Sequence, residues 1–198
     1  MIDLRNCDNM DLMKSFPDKY FDLAIVDPPY GWGDLKGRNI NGNASEWNVA
    51  PSEYYFNELF RVSKNQIIWG GNYFKLPPHK HFIIWDKKQP LKQFARCEFA
   101  WSSFDKNAQV FEYAYYGNLN TNKNRFHPTE KPIQLYNYLL KEFANKGDKI
   151  LDTHLGSGSI AIACHYAELD LVGCEINEVY FKKLMKRFHQ LTIQQKMF

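Results

Sequence analysis

The chain has 198 residues, 44% hydrophobic and 24% charged, with a net charge of +3, a length that fits one domain burying roughly 70% of its unfolded surface. Such a composition excludes a disordered or fibrous chain, and a charge this mild neither demands nor forbids a polyanionic partner. The four cysteines, Cys7, Cys97, Cys164 and Cys174, are scattered, and the opening MIDLRNCDNM carries charges, so free thiols in a reduced cytoplasmic setting are expected, without leader or membrane span.

Taken in order, Met1 to Leu4 reads as a short strand, and Met10, Leu12, Met13 and Phe16 form a weak helical face ended by Pro17. The apolar run Phe21 to Val26 reads as a buried strand. Residues 31–50 are rich in Gly and Asn and lack periodicity, which predicts a mobile loop. Pro51 opens a helix through Tyr55, Phe56, Leu59, Phe60 and Val62. Strands follow at 66–70, 81–85, around 99–101 and at 110–116. His79 and His81 flank Lys80 and are expected to be surface or loop residues. A basic stretch holds Lys87, Lys88, Lys92 and Arg96, and Lys123 and Arg125 follow in an Asn-rich segment. Pro132 starts a helix through Phe143, closed by Gly147. A strand at 149–152, a glycine turn at 156–158, a helix with Ile160, Ile162, Ala163 and Tyr166 and a strand at 171–175 complete a βαβ unit. A final amphipathic helix runs from Asn177 to about Gln190. No internal repeat is present, which excludes a solenoid. The whole reads as one α/β domain with a mixed, mostly parallel Rossmann-like sheet and helices on both faces.

Two stretches carry chemistry. The first is Asp27-Pro28-Pro29-Tyr30, directly after the strand 21–26. The prolines end the strand, and Asp27, preceding a proline, is held extended at its carboxyl end. That edge of an open α/β sheet is where ligands bind. A carboxylate, a carbonyl and an aromatic ring on one stiff turn suit a planar amino group, two acceptors for its protons and a ring for its face. The competing reading is a proline-rich loop whose Asp only caps a turn.

The second stretch is LDTHLGSGSIAIA, where Gly156 and Gly158 follow a strand and open a helix. A main chain free of side chains there permits close approach of a ligand. Glu175 ends the next strand, near the offset at which an acid binds ribose hydroxyls. Asp152, just before the turn, would repel a pyrophosphate. A cationic, adenosine-bearing ligand such as S-adenosyl-L-methionine fits better, with Asp152 near its amino group and Glu175 on its ribose. The competing reading is an ordinary tight βα turn with a capping Ser159.

These stretches resemble the amino-group DNA methyltransferases, which methylate an exocyclic nitrogen of adenine or cytosine, and the resemblance covers nearly the whole chain. Asp27, Pro28, Pro29 and Tyr30 resemble the family's catalytic motif. Asp152, Leu155, Gly156, Ser157 and Gly158 resemble its cofactor motif, to which the resemblance adds Glu175 and Asn177. His127-Pro128-Thr129-Glu130-Lys131-Pro132 is similar to the segment that closes over the methionine end, so His127, Thr129 and Lys131 join the implied cofactor site. Asp8 sits where members carry an acid near the cofactor's adenine, and Asp27 borders the cofactor as well. His154 and Leu155 stand where Pro and Phe are usual, and no large recognition domain is present.

Catalytic motif first and cofactor motif last is the order of the circularly permuted β-class. It implies a single domain over 1–198, with a catalytic half (1–116) and a cofactor-binding half (117–198), and chain ends that lie close together. The resemblance further implies DNA as partner, a flipped-out target base, bacterial or phage-infected cells, a homodimer and a cognate restriction endonuclease. Trp32 or Trp47 would stack on the base, and Lys87, Lys88, Lys92, Lys123 and Arg125 would contact phosphates. Family members acting on cytosine often carry Ser in place of Asp27, so adenine is expected. N4-cytosine, RNA adenine and a catalytically silent nucleic-acid-binding module are the alternatives. Attack on a ring carbon would need a nucleophilic cysteine after proline, and none of the four cysteines has that setting. No Cys/His spacing matches a metal site.

Overall fold

The structure is a computed structural model that describes residues 1–31, 49–115, 127 and 129–193. Among these, eight strands form one sheet: β1 (Ile2–Arg5), β2 (Phe21–Val26), β3 (Ser63–Trp69), β4 (Phe82–Asp86), β5 (Cys97–Ser102), β6 (Gln109–Glu112), β7 (Lys149–Asp152) and β8 (Asp170–Cys174). The helices are α1 (Asn9–Lys14), α2 (Glu53–Val62), α3 (Ile133–Phe143), α4 (Ser159–Tyr166) and α5 (Glu178–Ile193). The strand order is β1-β8-β7-β2-β3-β5-β4-β6. β1, β8, β7, β2 and β3 are parallel neighbours, while β5 runs antiparallel to both β3 and β4.

Period-two alternation along β2 separates two cores. Leu23 and Ile25 face a cluster built with Leu135 and Leu139 of α3, Ile160 of α4 and Leu184 of α5. Ala24 and Val26 face a second cluster, with Leu12 and Met13 of α1 and Tyr55, Phe56 and Leu59 of α2. With both faces covered, β2 reads as a continuous apolar run, and each fully buried Leu or Ile contributes about 1.5–3 kcal/mol.

The helix after β7 thus packs on one face and the helix after β2 on the other. Neighbouring parallel strands whose connections leave to opposite faces open a crevice at their carboxyl ends. The ends of β1, β8, β7 and β2 lie along that edge, so Asp8, Glu175, Asp152 and Asp27 arrive there from four segments distant in sequence.

Several sequence expectations are corrected. The cap of α4 is Gly158, at φ +74°, not Ser159, which is the first helical residue and is buried. β3 begins at Ser63, three residues earlier than expected, and β6 ends at Glu112 rather than 116. His81 is not a surface residue: it is fully buried, ringed by Phe104 and Phe143, with neither ring nitrogen hydrogen-bonded. Its place immediately before β4 carries it into the core beneath α3. His79 is exposed, as expected. The expected loop at 31–50 falls largely outside the described residues. No helix among the described residues is long and apolar enough to cross a membrane.

Candidate active site

At the end of β2 the Asp27 side chain is 15% exposed and engaged on both oxygens. Oδ1 accepts from the Tyr30 hydroxyl at 2.9 Å, and Oδ2 accepts from Lys131 Nζ. The Tyr30 ring packs against Gly70, where a Cβ would stand 2.1 Å from Tyr30 Cε1, and on Tyr73 at 5.0 Å. Gly70 also has φ +69°, so no other residue is tolerated there without strain. Tyr30 is therefore a fixed plate tied to Asp27, with the half-exposed Tyr73 beside it.

Lys131 is only 4% exposed and touches a second carboxylate, Glu98 Oε2, at 3.0 Å. Glu98 Oε1 in turn pairs with Lys87. The result is an alternating line of charges, Asp27–Lys131–Glu98–Lys87, with the ammoniums over the rings of Trp69 at 5.3 Å and Trp85 at 5.0 Å. Burial raises the Asp27 carboxyl above its usual range; Lys131 opposes this and Glu98 adds to it. Burial also raises Glu98, but Lys131 and Lys87 outweigh it and hold Glu98 down to about 2. One ammonium is shared between two carboxylates, so Lys131 stays protonated.

At the end of β7, Asp152 is 2% exposed and accepts from the His154 N–H at 2.9 Å. Burial, with Asp27 and Glu175 nearby, pushes its carboxyl up to about 8 despite that hydrogen bond. Glu175 accepts from the N–H groups of Gly156 (3.0 Å) and Asn177 (2.9 Å), which pins the glycine turn to the end of β8. His127 lies over this turn, its Cε1 3.2 Å from a Cβ built on Gly156, and packs edge-on against Tyr180 at 4.6 Å. The Thr129 hydroxyl meets His127 Nδ1 at 3.3 Å. His127 thus meets the glycine turn, and Lys131, four residues on, meets Asp27.

Beside the turn opens a cleft of about 360 Å³, lined among others by Asp8, Pro29, Tyr55, His154, Glu175 and Ile176. Asp8 also caps α1, accepting from Met10 N at 2.7 Å. The donor set suits a cationic, adenosine-bearing ligand. Asp152 is a buried carboxyl at the end of β7, and Glu175 lines the cleft.

Not every expected residue faces this space, and Asp152, Gly156 and Gly158 do not line the cleft themselves. Leu155 is buried in the core against Gly173, and the Ser157 side chain is buried at 3.2 Å from Ser159 Oγ. Asn177 caps α5 through Tyr180 N at 3.1 Å and does not line the cleft. Lys87, expected to contact phosphate, pairs with Glu98. Lys88 bridges Asp86 and Glu112, while Lys92 is exposed. Trp32, Trp47, Lys123, Arg125 and Pro128 lie outside the described residues.

The structure adds residues that sequence reasoning missed. Glu98 is one, and its signal was a lone carboxylate inside an apolar strand. A polar wall of the cleft is another: Asn9 Nδ2 meets His154 Nε2 at 3.1 Å, His154 Nδ1 meets Thr153 Oγ1 at 2.9 Å, and Tyr55 Oη meets the same hydroxyl at 2.6 Å. Burial lowers His154 to about 4, so it is neutral. Among the described residues no group of three or more metal-ligating side chains occurs.

A fixed acid–aromatic turn and an acid-lined glycine turn, side by side at a switch point, define the class of α/β amino-group methyltransferases. Residues 63–186 match the family described as DNA methylase, and the chain belongs to that family. It is 26% identical over 197 residues to YubD of Escherichia coli (strain K12), whose name carries a provisional assignment as a methylase, covering 89% of this chain and 85% of that protein. It is 23% identical to the type II methyltransferase M.HpaI of Haemophilus parainfluenzae, over 88% of this chain and 70% of the relative. Among solved structures, the M1.HpyAVI–SAM complex superposes with a TM-score of 0.62 at 20% identity, over 94% of this chain and 100% of that one. The PvuII cytosine-N4-specific DNA methyltransferase does so with 0.65 at 12%, over 97% and 90%. At these identities the superpositions establish the fold.

Proposed function

We propose that this chain transfers a methyl group from S-adenosyl-L-methionine to the exocyclic amino group of adenine in DNA, acting on a base flipped out of the duplex. The observation that carries the reading is Asp27, an acid rather than Ser, tied to Tyr30 at the switch point and adjoining a cleft with two further acids. Asp8, Glu175 and Asp152 would hold the cofactor, which supplies an activated methyl on a sulfonium. The remaining work falls to the chain. An adenine amino nitrogen is a poor nucleophile because its lone pair is delocalised into the ring. Asp27 and the Pro28 carbonyl, each accepting one amino proton, favour a pyramidal nitrogen with its lone pair directed outward. Tyr30 and Tyr73 provide a stiff aromatic wall for the base, and alignment then supplies much of the rate. The nitrogen gains a methyl and gives up one proton, for which Asp27 is the nearest acceptor. Residues 1–116 and 117–198 act as catalytic and cofactor halves, although Asp8 crosses that division. A restriction-modification setting, with a cognate endonuclease and a dimeric enzyme, completes the reading.

The test is to express the protein in cells lacking DNA methylation and sequence their DNA with detection of modified bases. N6-methyladenine in one short sequence context is expected. N4-methylcytosine instead would overturn the base assignment, and methylated RNA with unmethylated DNA would overturn the substrate. Cofactor binding by calorimetry without any methylation would favour the silent binding module.

A further inference from the structure

Glu98 has no part in the chemistry outlined so far. It lies in β5, in the otherwise apolar run Cys97-Glu98-Phe99-Ala100-Trp101, where a carboxylate is costly unless it is partnered. Oε1 is satisfied by Lys87. Oε2 is buried and paired with the Lys131 ammonium at 3.0 Å. The same ammonium is hydrogen-bonded to Asp27 Oδ2. It is thus shared between the oxygen proposed to accept from the target amino group and a second carboxylate within reach.

The geometry points to Glu98 as a positioning residue for methyl transfer: its Oε2 takes over the shared Lys131 ammonium from Asp27 when a target amino group arrives. The shift exchanges one charge-assisted hydrogen bond for another and opens Asp27 Oδ2 to accept. This rests on the methyltransferase reading above. Among the described residues, Asp27 faces Tyr30 from its own turn, Lys131 from the segment before α3, Glu98 from β5 and, further off, Tyr136 from α3 and Asp152 from β7. Lys131 meets Asp27, Glu98 and the Trp69 ring, and Glu98 meets Lys131 and Lys87. Glu98 is ionised throughout the working range, so it is ready to receive the ammonium.

The experiment measures methyl incorporation from labelled S-adenosyl-L-methionine into polymerase-amplified genomic DNA, which carries no methyl groups. It is run across pH, with cofactor affinity followed by calorimetry. Glu98→Gln should lower kcat by about 10- to 100-fold, the scale of a misplaced catalytic group, with cofactor Kd unchanged within about twofold. The acid limb of kcat should move to lower pH, because removing a negative charge lets Asp27 ionise more readily. General structural damage has no reason to shift the limb that way. Glu98→Asp, which keeps the charge but withdraws it, should fall between wild type and Glu98→Gln. It keeps the test decisive if the glutamine variant does not fold, since wild-type turnover in Glu98→Asp would then overturn the role. Wild-type kcat and an unmoved acid limb in a folded Glu98→Gln protein would overturn it directly, with the methyltransferase reading intact. A wild-type protein that incorporates no label would overturn that reading and the role of Glu98 together.

Discussion

Asp27 presents its carboxylate already engaged, by a phenol on one side and an ammonium on the other, and this changes what its substitutions report. Asp27→Ala leaves the buried Lys131 with Glu98 as its remaining counter-charge. Breaking one arm of a buried ion-pair network costs up to about 3–5 kcal/mol, so this variant should lose activity and a measurable part of its stability together. Asp27→Asn is the cleaner probe. Its amide oxygen can still accept from Tyr30 or Lys131, and kcat should fall by about 10²- to 10³-fold, the scale of a lost charge-stabilising group. Chemical denaturation should show Asp27→Asn much closer to wild type than Asp27→Ala; equal losses of stability would show that Lys131 does not depend on an oxygen at position 27. Asp152 makes a second prediction at this scale. Its folded pKa of about 8 lies above the unfolded value, about 3.9. Native protein therefore binds more protons than unfolded between those values, and this residue's contribution to stability falls as pH rises through that window. A bound cation favours the ionised form, so cofactor binding below pH 8 should release a proton and tighten as pH rises towards 8. Calorimetry in buffers of different ionisation enthalpy reads that proton directly. No released proton in wild type, or the same release in Asp152→Asn, would show that Asp152 does not sense the ligand.

The glycine turn between β7 and α4 shows how an element is fixed by its neighbours. Gly158 sits at φ +74°, and a Cβ there would stand 2.6 Å from Leu184 Cγ of α5. Gly158→Ala should therefore cost about 1–3 kcal/mol in backbone strain and about 1–3 kcal/mol more in overpacking. The melting temperature should drop accordingly, with cofactor affinity falling as the turn is displaced. A melting temperature at the wild-type value would mean that α5 yields freely. The turn itself was legible, because Gly-Ser-Gly between a strand and a helix has few other uses. Its cap was not. Ser159 is a good capping residue by composition, but its hydroxyl is claimed by Arg187 NH1 at 3.0 Å and by Ser157. His81 was illegible for a similar reason: local polarity suggested a loop, and tertiary packing against α3 overrode it. Buried strands such as β2 and β7 were read correctly because apolar runs bounded by breakers have one stable place in an α/β fold. β6 was harder to bound, since its place at the edge of the sheet leaves much of it exposed.

Across the whole molecule, the order of chemical stretches along the chain was enough to give the architecture. Parallel strands bring their carboxyl ends to one edge wherever they occur in sequence, and Asp8, Asp27, Asp152 and Glu175 followed that rule. Met1 N pairs with Asp170 and the Tyr166 hydroxyl meets Leu191 O, while residues 194–198, on which the expected nearness of the chain ends also depends, lie outside the described residues. Charge was the property sequence could not place, because a lysine's partner is set by the fold. Lys87 and Lys92 differ by five positions in one basic stretch, yet Lys87 is 19% exposed and bonded to Glu98, whereas Lys92 is exposed. That difference yields the last prediction. A lysine that neutralises a phosphate accounts for about one unit in the slope of log K against log salt. Lys92→Gln should therefore flatten the salt dependence of binding to duplex DNA by about one unit, with kcat at saturating DNA little changed. Lys87→Gln should leave that slope alone, since its ammonium is committed to Glu98, and should alter turnover instead. Fluorescence anisotropy over a salt series separates the two. A Lys87→Gln slope reduced as much as that of Lys92→Gln would show that Lys87 leaves Glu98 for a phosphate when DNA binds, and the inward line of charges would then belong only to the free enzyme.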